Sequence, residues 1–274
     1  FLKIFQILNH GLKYVEHEYK PGQSKHTPRP PVGRKIKRDA GMKKIVLELG
    51  GNAGVIVSNS ADIDLAVAKT VAGGYAYSGQ VCIHVQRILV HDSIFEKFSK
   101  KFINILRKLK VGDPKVANTD ISAMIDEENA VRVEEWVNEA VSDGAEILFG
   151  GNRKGSYYEP TLLTRTRREM KVCSLEIFGP VVTLEKYSNF EEAVDYVNDS
   201  EYGLQAGIFT DTLSEMNYAF QNLEVGGVII NDVPTFRVDH MPYGGVKNSG
   251  FGREGLKYSI HEMLESRLLV KNIL

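Results

Sequence analysis

The chain has 274 residues, of which 43% are hydrophobic and 25% charged, and a chain of this kind can bury a sizeable core. Its 34 Lys and Arg nearly balance 35 Asp and Glu, so the net charge is −1 and the composition argues against a nucleic-acid partner. Apolar runs are too short for a membrane span, and residues 1–20 lack the order of a secretory signal. We therefore expect a cytoplasmic protein that does not bind membranes.

Two cysteines, Cys82 and Cys173, lack the spacing of a metal site or a redox motif, so we expect free thiols and no bound metal. Residues 1–31 combine a short apolar stretch with a loop rich in Pro, Gly and Lys. Regular patterns begin near residue 45. In chain order they predict a strand at 45–49, a strand at 55–57, a helix at 63–78 after the N-cap Asp62, a strand-like segment at 83–90, and an amphipathic helix at 94–109.

The second half of the chain alternates strand and helix patterns. These predict strands at 145–149, 161–163, 181–186, 205–209 and 228–230, with helices at 127–143, 190–198 and 214–223. Such alternation indicates an α/β fold with a largely parallel sheet. A helix at 254–265 and an apolar strand at 266–272 follow, and nothing after that strand covers its edge. We expect this edge to pair with another copy in a homo-oligomer, a dimer or tetramer.

The sequence Gly79-Gln80-Val81-Cys82 lies between a helical run of small residues and an apolar segment. A cysteine at a helix-to-strand junction can act as a nucleophile, because nearby backbone N–H groups and helix dipoles favour its thiolate. The alternative is a small buried thiol without chemistry. We predict a packed or solvated, non-catalytic histidine at 84 and a structural thiol at Cys173.

Two further stretches bear on that choice. A strand-like run ends in Glu48-Leu49-Gly50-Gly51, and a turn carries Glu176-Ile177-Phe178-Gly179-Pro180. Together with the cysteine stretch and Pro242-Tyr243-Gly244-Gly245, these motifs resemble the signature set of the aldehyde dehydrogenase superfamily. The resemblance covers about 32–272. It points to the branch that acts on lactaldehyde, glyceraldehyde 3-phosphate without phosphorylation, or succinic semialdehyde, and it implies an aldehyde dehydrogenase-like catalytic domain.

The resemblance implies a two-stage oxidation of a short aldehyde to a carboxylic acid. The Cys82 thiolate adds to the aldehyde carbonyl, and the thiohemiacetal loses a hydride to NAD or NADP, which leaves a thioester. Glu48 is the implied general base for the water that cleaves this thioester. In isolation, Glu48 also fits the role of a cap on a neighbouring helix.

The resemblance also implies a cofactor site. Glu176 would accept hydrogen bonds from the nicotinamide ribose and Phe178 would pack by the nicotinamide ring, with Leu49, Gly50 and Gly33 lining the site. A turn glutamate and a core phenylalanine are the alternatives. The stretch ahead of Gly33 is rich in proline, which donates no N–H, so it predicts a poor phosphate cradle.

Arg237 is the candidate for substrate recognition. Its surrounding segment resembles that of family members whose short aldehydes carry an anionic or hydroxyl tail, which a guanidinium can bind. A salt bridge with Asp239 or another acid is an equally good interpretation.

Only 47 residues precede Glu48, so the chain resembles the C-terminal part of a longer enzyme. We expect a remnant of the nucleotide-binding domain at 1–49, a catalytic domain at 50–247, and a C-terminal helix and oligomerisation strand at 248–274. Two other functions stay open: an inactive or truncated family member that serves as an assembly module, and a cofactor-free thiol esterase.

Overall fold

A computed structural model describes residues 4–8, 11–15 and 30–273, with side chains described from residue 32 onward. Much of the predicted loop in 1–31, including 27–29 ahead of the first helix, lies outside the described residues. The strands are β1 (Ile4–Leu8), β2 (Gly11–Val15), β3 (Leu47–Glu48), β4 (Ala53–Val57), β5 (Val85–His91), β6 (Glu146–Phe149), β7 (Arg153–Lys154), β8 (Tyr157–Tyr158), β9 (Thr161–Thr164), β10 (Val181–Tyr187), β11 (Tyr202–Gly203), β12 (Gln205–Phe209), β13 (Gly227–Ile230), β14 (Val246–Lys247) and β15 (Gly250–Phe251).

The helices cover most of the intervening segments. They are α1 (Pro30–Asp39), α2 (Ile63–Tyr75), α3 (Asp92–Leu106), α4 (Glu127–Ser142), α5 (Lys171–Ser174), α6 (Phe190–Asn198), α7 (Leu213–Asn222) and α8 (Leu256–Glu262). Across 4–8, 11–15 and 30–273, no helix combines the length and the apolarity that crossing a membrane requires.

A central sheet organises the described chain. Seven strands are ordered β13-β12-β4-β5-β10-β9-β6. Each neighbouring pair is parallel except β6 and β9. The predicted α/β class with a largely parallel sheet is therefore confirmed.

Helices cover both faces of this sheet, because successive side chains of the buried strands point to opposite sides. On one face, Val55 and Ile88 pack with α2 and α3, where Phe98 and Phe102 are fully buried. On the other face, Ile56 packs with α6 and α7. Burying one such side chain contributes roughly 1.5–3 kcal/mol, so these two layers fix the strand ends that carry the site.

Several element boundaries differ from the sequence prediction. Asp62 caps α2 as expected, accepting hydrogen bonds from the Asp64 and Leu65 amides. However, α2 ends at Tyr75 rather than at residue 78, because Tyr77 and Ser78 adopt left-handed backbone angles. The strand predicted at 45–49 shortens to β3, which pairs with β15.

The strand predicted at 266–272 stays a prediction, because it is expected to form by pairing with a second copy and not within one chain. This segment has no regular secondary structure, and its apolar side chains are exposed, with Leu268 85% and Leu269 86% accessible. A strand needs a partner edge to satisfy its backbone groups. Within the part of the chain that the structure describes, this segment has no such pairing.

Candidate active site

A tight backbone turn presents Cys82. Tyr77, Ser78 and Gly79 have φ angles of 52°, 56° and 68°, three left-handed residues in succession just ahead of Gln80. The Ser78 hydroxyl holds this turn by donating to the Ser122 carbonyl at 2.8 Å. Non-glycine residues in this region are strained and persist only where surrounding contacts enforce them. The helix-to-strand junction predicted for Cys82 is thus a locked turn between α2 and β5.

The turn also makes a close backbone approach to a second turn. A Cβ added to Gly79 would lie 2.0 Å from the carbonyl oxygen of Gly179, so only glycine fits there. The Cys82 turn and the turn that contains Phe178 therefore touch without an intervening side chain.

The Cys82 thiol is half-buried, and its Sγ lies 3.4 Å from the Tyr243 hydroxyl oxygen. Burial raises the pKa of the thiol, the Tyr243 hydrogen bond opposes that rise, and the nearby Glu176 and Glu48 carboxylates add to it. The sequence-based expectation that backbone N–H groups and helix dipoles favour the thiolate is outweighed here by burial, so the protonated thiol is the favoured form.

Glu48 ends β3 and lies opposite Gly250 in the antiparallel pair with β15. Both carboxylate oxygens are buried, and neither has a hydrogen-bond partner among the described residues. Burial, followed by the negative charge of Glu254, raises the pKa of Glu48 to about 8, although Arg237 and Arg253 oppose the rise. The helix-cap alternative fails, because a capping carboxylate would accept backbone N–H bonds.

The Gly50-Gly51 segment connects the three predicted chemical residues. The Gly51 amide donates to Glu176 Oε1 at 2.8 Å. A Cβ on Gly51 would lie 1.9 Å from the Cys82 carbonyl oxygen, and one on Gly50 would lie 2.7 Å from Glu176 Oε2. The structure therefore places the end of the Glu48 strand, the Cys82 turn and the Glu176 carboxylate around one pair of glycines.

Two residues that the sequence analysis missed hold the Glu176 turn. Gln86, which is 1% exposed, donates to the Val172 and Leu175 carbonyls at 3.0 and 2.7 Å and accepts from the Ile177 amide at 3.0 Å. Arg132 donates to the Ile177 carbonyl at 2.8 Å. A polar residue inside the apolar run at 83–90 was the available signal for Gln86, since a buried polar side chain needs partners.

Phe178 follows in a left-handed conformation with φ of 45°, and its side chain is half-buried. Strained non-glycine residues cluster at functional sites, which sets this position apart from an ordinary core phenylalanine. The predicted cofactor residues Glu176 and Phe178 are thus next to the Cys82 turn.

Gly33 and Leu49, two further predicted cofactor residues, meet at the start of α1. Gly33 is buried in the first turn of this helix and packs against the Leu49 side chain. Pro30 and Pro31 occupy the first two helical positions, so two of the N–H groups that a helix N-terminus offers to an anion are missing. The N-terminus of α1 has the weak anion-binding chemistry that the sequence predicts.

Arg237 forms an ion pair with Glu254 at 2.9 Å, and its guanidinium lies 4.3 Å from the centroid of the Tyr243 ring. The salt-bridge interpretation is therefore realised, with Glu254 rather than Asp239 as the acid. Because Tyr243 contacts Cys82, the same arrangement places Arg237 one side chain away from the thiol.

His84 and Cys173 behave as packed residues. His84 Nε2 lies 2.8 Å from the Gly74 carbonyl oxygen, and burial lowers the pKa of the imidazole to about 4, so it stays neutral. Cys173 is 2% exposed, and both cysteines are free thiols. In the described ranges, no group of three or more His, Cys, Asp or Glu side chains is arranged to hold a metal ion.

Comparison with known proteins agrees with this geometry. Residues 26–269 match the profile of the Aldehyde dehydrogenase family. A 3-sulfolactaldehyde dehydrogenase from Priestia aryabhattai is 49% identical over 247 residues, which are 90% of this chain and 52% of that protein. The chain therefore spans about half the length of the curated relatives it matches.

Two solved structures are similar to the described fold. Aldehyde dehydrogenase 21 from Physcomitrella patens, in complex with the reaction product succinate, has a TM-score of 0.86 and 47% identity over 88% of this chain and 50% of that one. The glyceraldehyde-3-phosphate dehydrogenase GapN from Methanocaldococcus jannaschii, complexed with NADP, has a TM-score of 0.83 and 44% identity over 85% of this chain and 51% of that one.

Proposed function

The chain belongs to the aldehyde dehydrogenase family, and on that premise we propose that it carries the catalytic residues of an enzyme that oxidises a short aldehyde to a carboxylic acid with NAD or NADP. The observation that carries this proposal is the convergence of Glu48, Cys82 and Glu176 on the Gly50-Gly51 segment. The residues proposed as nucleophile, base and ribose ligand come from three separate stretches of sequence.

Cys82 is the proposed nucleophile. Its sulfur is half-buried and contacts a hydroxyl, so it is shielded from bulk water while remaining next to a polar group. Because burial favours the thiol, the proton must leave before or during attack on the aldehyde carbon. Attack gives a thiohemiacetal on the sulfur, and with a bound nicotinamide as the hydride acceptor this adduct would be oxidised to the thioester that water cleaves.

Glu48 is the proposed base for that water. A carboxyl group without a hydrogen-bond partner in the described chain, and with a pKa of about 8, is mainly protonated at neutral pH, and its ionised fraction is a stronger base than an ordinary carboxylate. A carboxylate held by several N–H donors would be too weak a base for this step. The burial of Glu48 thus supports its role in thioester hydrolysis.

The nicotinamide end of the cofactor fits the residues present. The absence of a side chain at Gly50 leaves room beside Glu176 Oε2, where a Cβ would sit 2.7 Å away. A carboxylate has about four acceptor positions, so Glu176 can serve both the Gly51 amide and ribose hydroxyls. Phe178, Leu49 and Gly33 would complete the site, and the bound nicotinamide would supply the hydride acceptor. The phosphate end fits poorly, because α1 begins with two prolines.

The proposed substrate is a short aldehyde with an anionic or hydroxyl tail. Arg237 supports this choice, since its guanidinium lies against the Tyr243 ring and its side chain is 43% exposed. The Arg237 guanidinium donates a hydrogen bond to the Glu254 carboxylate. An anionic tail on the substrate would compete with Glu254 for the same N–H donors. The similar proteins include one named for a sulfonated aldehyde and one bound to a dicarboxylate product.

The test is cofactor reduction, measured as absorbance of the reduced nicotinamide, with NAD or NADP and a panel of short aldehydes. The panel carries sulfonate, phosphate, carboxylate, hydroxyl or methyl tails. We expect turnover that is highest with a charged or hydroxyl tail and that falls to background in Cys82→Ala. A matched Cys173→Ala variant should retain turnover, because Cys173 is buried outside the site.

The same variants distinguish the other functions. Hydrolysis of an aryl ester without cofactor, lost in Cys82→Ala, would point instead to a thiol esterase. A folded chain that reduces neither cofactor and cleaves no ester would overturn the catalytic proposal and favour an assembly module.

Self-association and a cytoplasmic location complete the proposal. The exposed apolar side chains of Leu268, Leu269 and Val270 support pairing with a second copy, and the two free thiols support a reducing compartment. Light scattering after size exclusion should give a dimer or tetramer, and a monomer at all concentrations would contradict the pairing.

A further inference from the structure

One contact at the site has no assigned role. The Tyr243 hydroxyl oxygen lies 3.4 Å from Cys82 Sγ, within hydrogen-bond distance for sulfur. In the thiol form either atom can donate, but a thiolate has no proton and can only accept. Ionisation of Cys82 therefore fixes the direction of this hydrogen bond, with the phenolic O–H as the donor.

We propose that Tyr243 is a positioning residue that acts through Cys82, donating its hydroxyl hydrogen bond to the thiolate and holding Sγ in place for attack. The inference rests on the proposed role of Cys82 as the nucleophile. It assigns to Tyr243 the stabilisation of the reactive ionised form, beyond filling space beside the thiol.

The charges around the sulfur explain why such a donor is needed. Glu48 on β3 and Glu176 on the turn before β10 both disfavour a second negative charge at Cys82. Tyr243 and the backbone N–H of Cys82 itself act in the opposite direction. Among the described side chains that shift the pKa of the thiol, Tyr243 is the one that favours its ionisation.

Arg237 strengthens the same donor. Its guanidinium lies 4.3 Å from the centroid of the Tyr243 ring, and its positive charge opposes the burial that raises the pKa of the phenol. A cation on the ring face stabilises the negative charge that builds on the oxygen as it donates. Arg237 therefore contributes to the site through the ring even when Glu254 holds its guanidinium.

The fold holds Tyr243 firmly enough for this role. Tyr243 is 4% exposed, and its ring packs with Ile83 and Leu204. Its backbone forms a two-way bridge with Glu254, donating at 3.1 Å and accepting at 2.6 Å. The hydroxyl is therefore carried on a fixed backbone segment rather than on a free loop.

The experiment measures alkylation of Cys82 by iodoacetamide against pH in the 274-residue chain, without cofactor, with the modified peptide quantified by mass spectrometry. Tyr243→Phe keeps the ring and removes the donor. We expect the midpoint of the Cys82 profile to rise by about one pH unit, which makes alkylation below the midpoint about tenfold slower. Tyr187→Phe is the matched control, since it removes another buried hydroxyl, which donates to the Val57 carbonyl at 3.3 Å.

Identical profiles for the native chain and Tyr243→Phe, or an equal shift in Tyr187→Phe, would overturn the proposal. Cys173 reports on folding in every sample, because it is 2% exposed and stays unmodified only in the folded chain. If Tyr243→Phe unfolds, a fluorinated tyrosine placed at 243 keeps both ring and hydroxyl and makes a stronger donor. We then expect the midpoint to fall, and an unchanged or raised midpoint rejects the proposal. Loss of cofactor reduction has no bearing on this readout.

Discussion

Glu48 precedes the Gly50-Gly51 segment in the chain, Glu176 lies against that segment, and both carboxylates disfavour ionisation of Cys82. Their environments differ. Glu176 accepts the Gly51 amide at 2.8 Å, whereas the Glu48 oxygens are buried without a partner among the described residues. The backbone holds one carboxylate in a fixed position, and the other is left as a base.

The two residues are of the same type, so their surroundings determine which carboxylate binds and which acts as a base. A held carboxylate keeps its geometry and suits the binding of ribose hydroxyls. An isolated buried carboxylate takes up a proton readily, as the pKa of about 8 for Glu48 indicates. Three substitutions test this difference between the two carboxylates.

The largest effect is expected from Glu48→Gln, which keeps the shape and removes the base. Thioester hydrolysis should slow by about 100-fold or more, so that the acyl group accumulates on Cys82 after one round of oxidation. Mass spectrometry of the protein after mixing with aldehyde and cofactor measures this accumulation. Glu96→Gln, which removes an exposed acid paired with Lys186, is the control and should hydrolyse normally.

A measurement without cofactor supports the same variant. Because the folded state holds the Glu48 proton up to a pKa of about 8, above the unfolded value, this group makes the native chain less stable as pH rises through that window. Glu48→Gln should remove that loss, which urea unfolding at pH 5 and pH 8 can compare. The same pH dependence in both proteins would contradict a buried, protonated Glu48.

The second substitution tests the Gly50-Gly51 segment, which holds the Glu176 carboxylate in place. An alanine Cβ at Gly51 would lie 1.9 Å from the Cys82 carbonyl oxygen, a backbone atom, whereas at Gly50 it meets the Glu176 and Tyr202 side chains at 2.7 and 2.8 Å. Gly51→Ala should therefore lower the free energy of unfolding by about 3 kcal/mol, and Gly50→Ala by about 1 kcal/mol. Urea unfolding provides both values, and equal losses would show that the Cys82 backbone is not fixed against Gly51.

The smallest effect is expected from Glu254→Gln, which changes the charge near the isolated Glu48 carboxylate. The charge of Glu254 helps to raise the pKa of Glu48, while Arg237 lowers it. Removing the Glu254 charge should lower the pKa of Glu48 by roughly half a unit, so the hydrolysis profile shifts to lower pH. The pH dependence of thioester hydrolysis measures the shift, with Glu262→Gln on the exposed face of α8 as the control. An upward shift would contradict the assigned source of the charge effect.

The sequence was sufficient for the parts of the fold that depend on local patterns. The helix at 190–198 and the strand at 205–209 have the predicted bounds, because apolar periodicity and an N-cap specify them locally. The end of α2 was mispredicted, since the left-handed angles of Tyr77 and Ser78 are imposed by contacts such as the Ser122 carbonyl and not by their own preferences.

Motifs located the candidate site but not its environment. They singled out Glu48, Cys82 and Glu176, yet the missing partners of Glu48 depend on how β3 and β15 close around it. Tyr243 stood within a recognised motif, but its contact with Cys82 spans 161 residues and no periodicity encodes it. Gln86 supports the Glu176 turn through hydrogen bonds across about 90 residues, again beyond local pattern.

The contact between Gly79 and Gly179 has a mechanical consequence. Two peptide backbones meet there with no side chain to absorb a displacement, since even one added carbon would lie 2.0 Å from the facing oxygen. The two backbones are in direct contact at this point. The turn that carries Phe178 and the turn that carries Cys82 therefore cannot move toward each other, and the packing at this contact fixes their spacing.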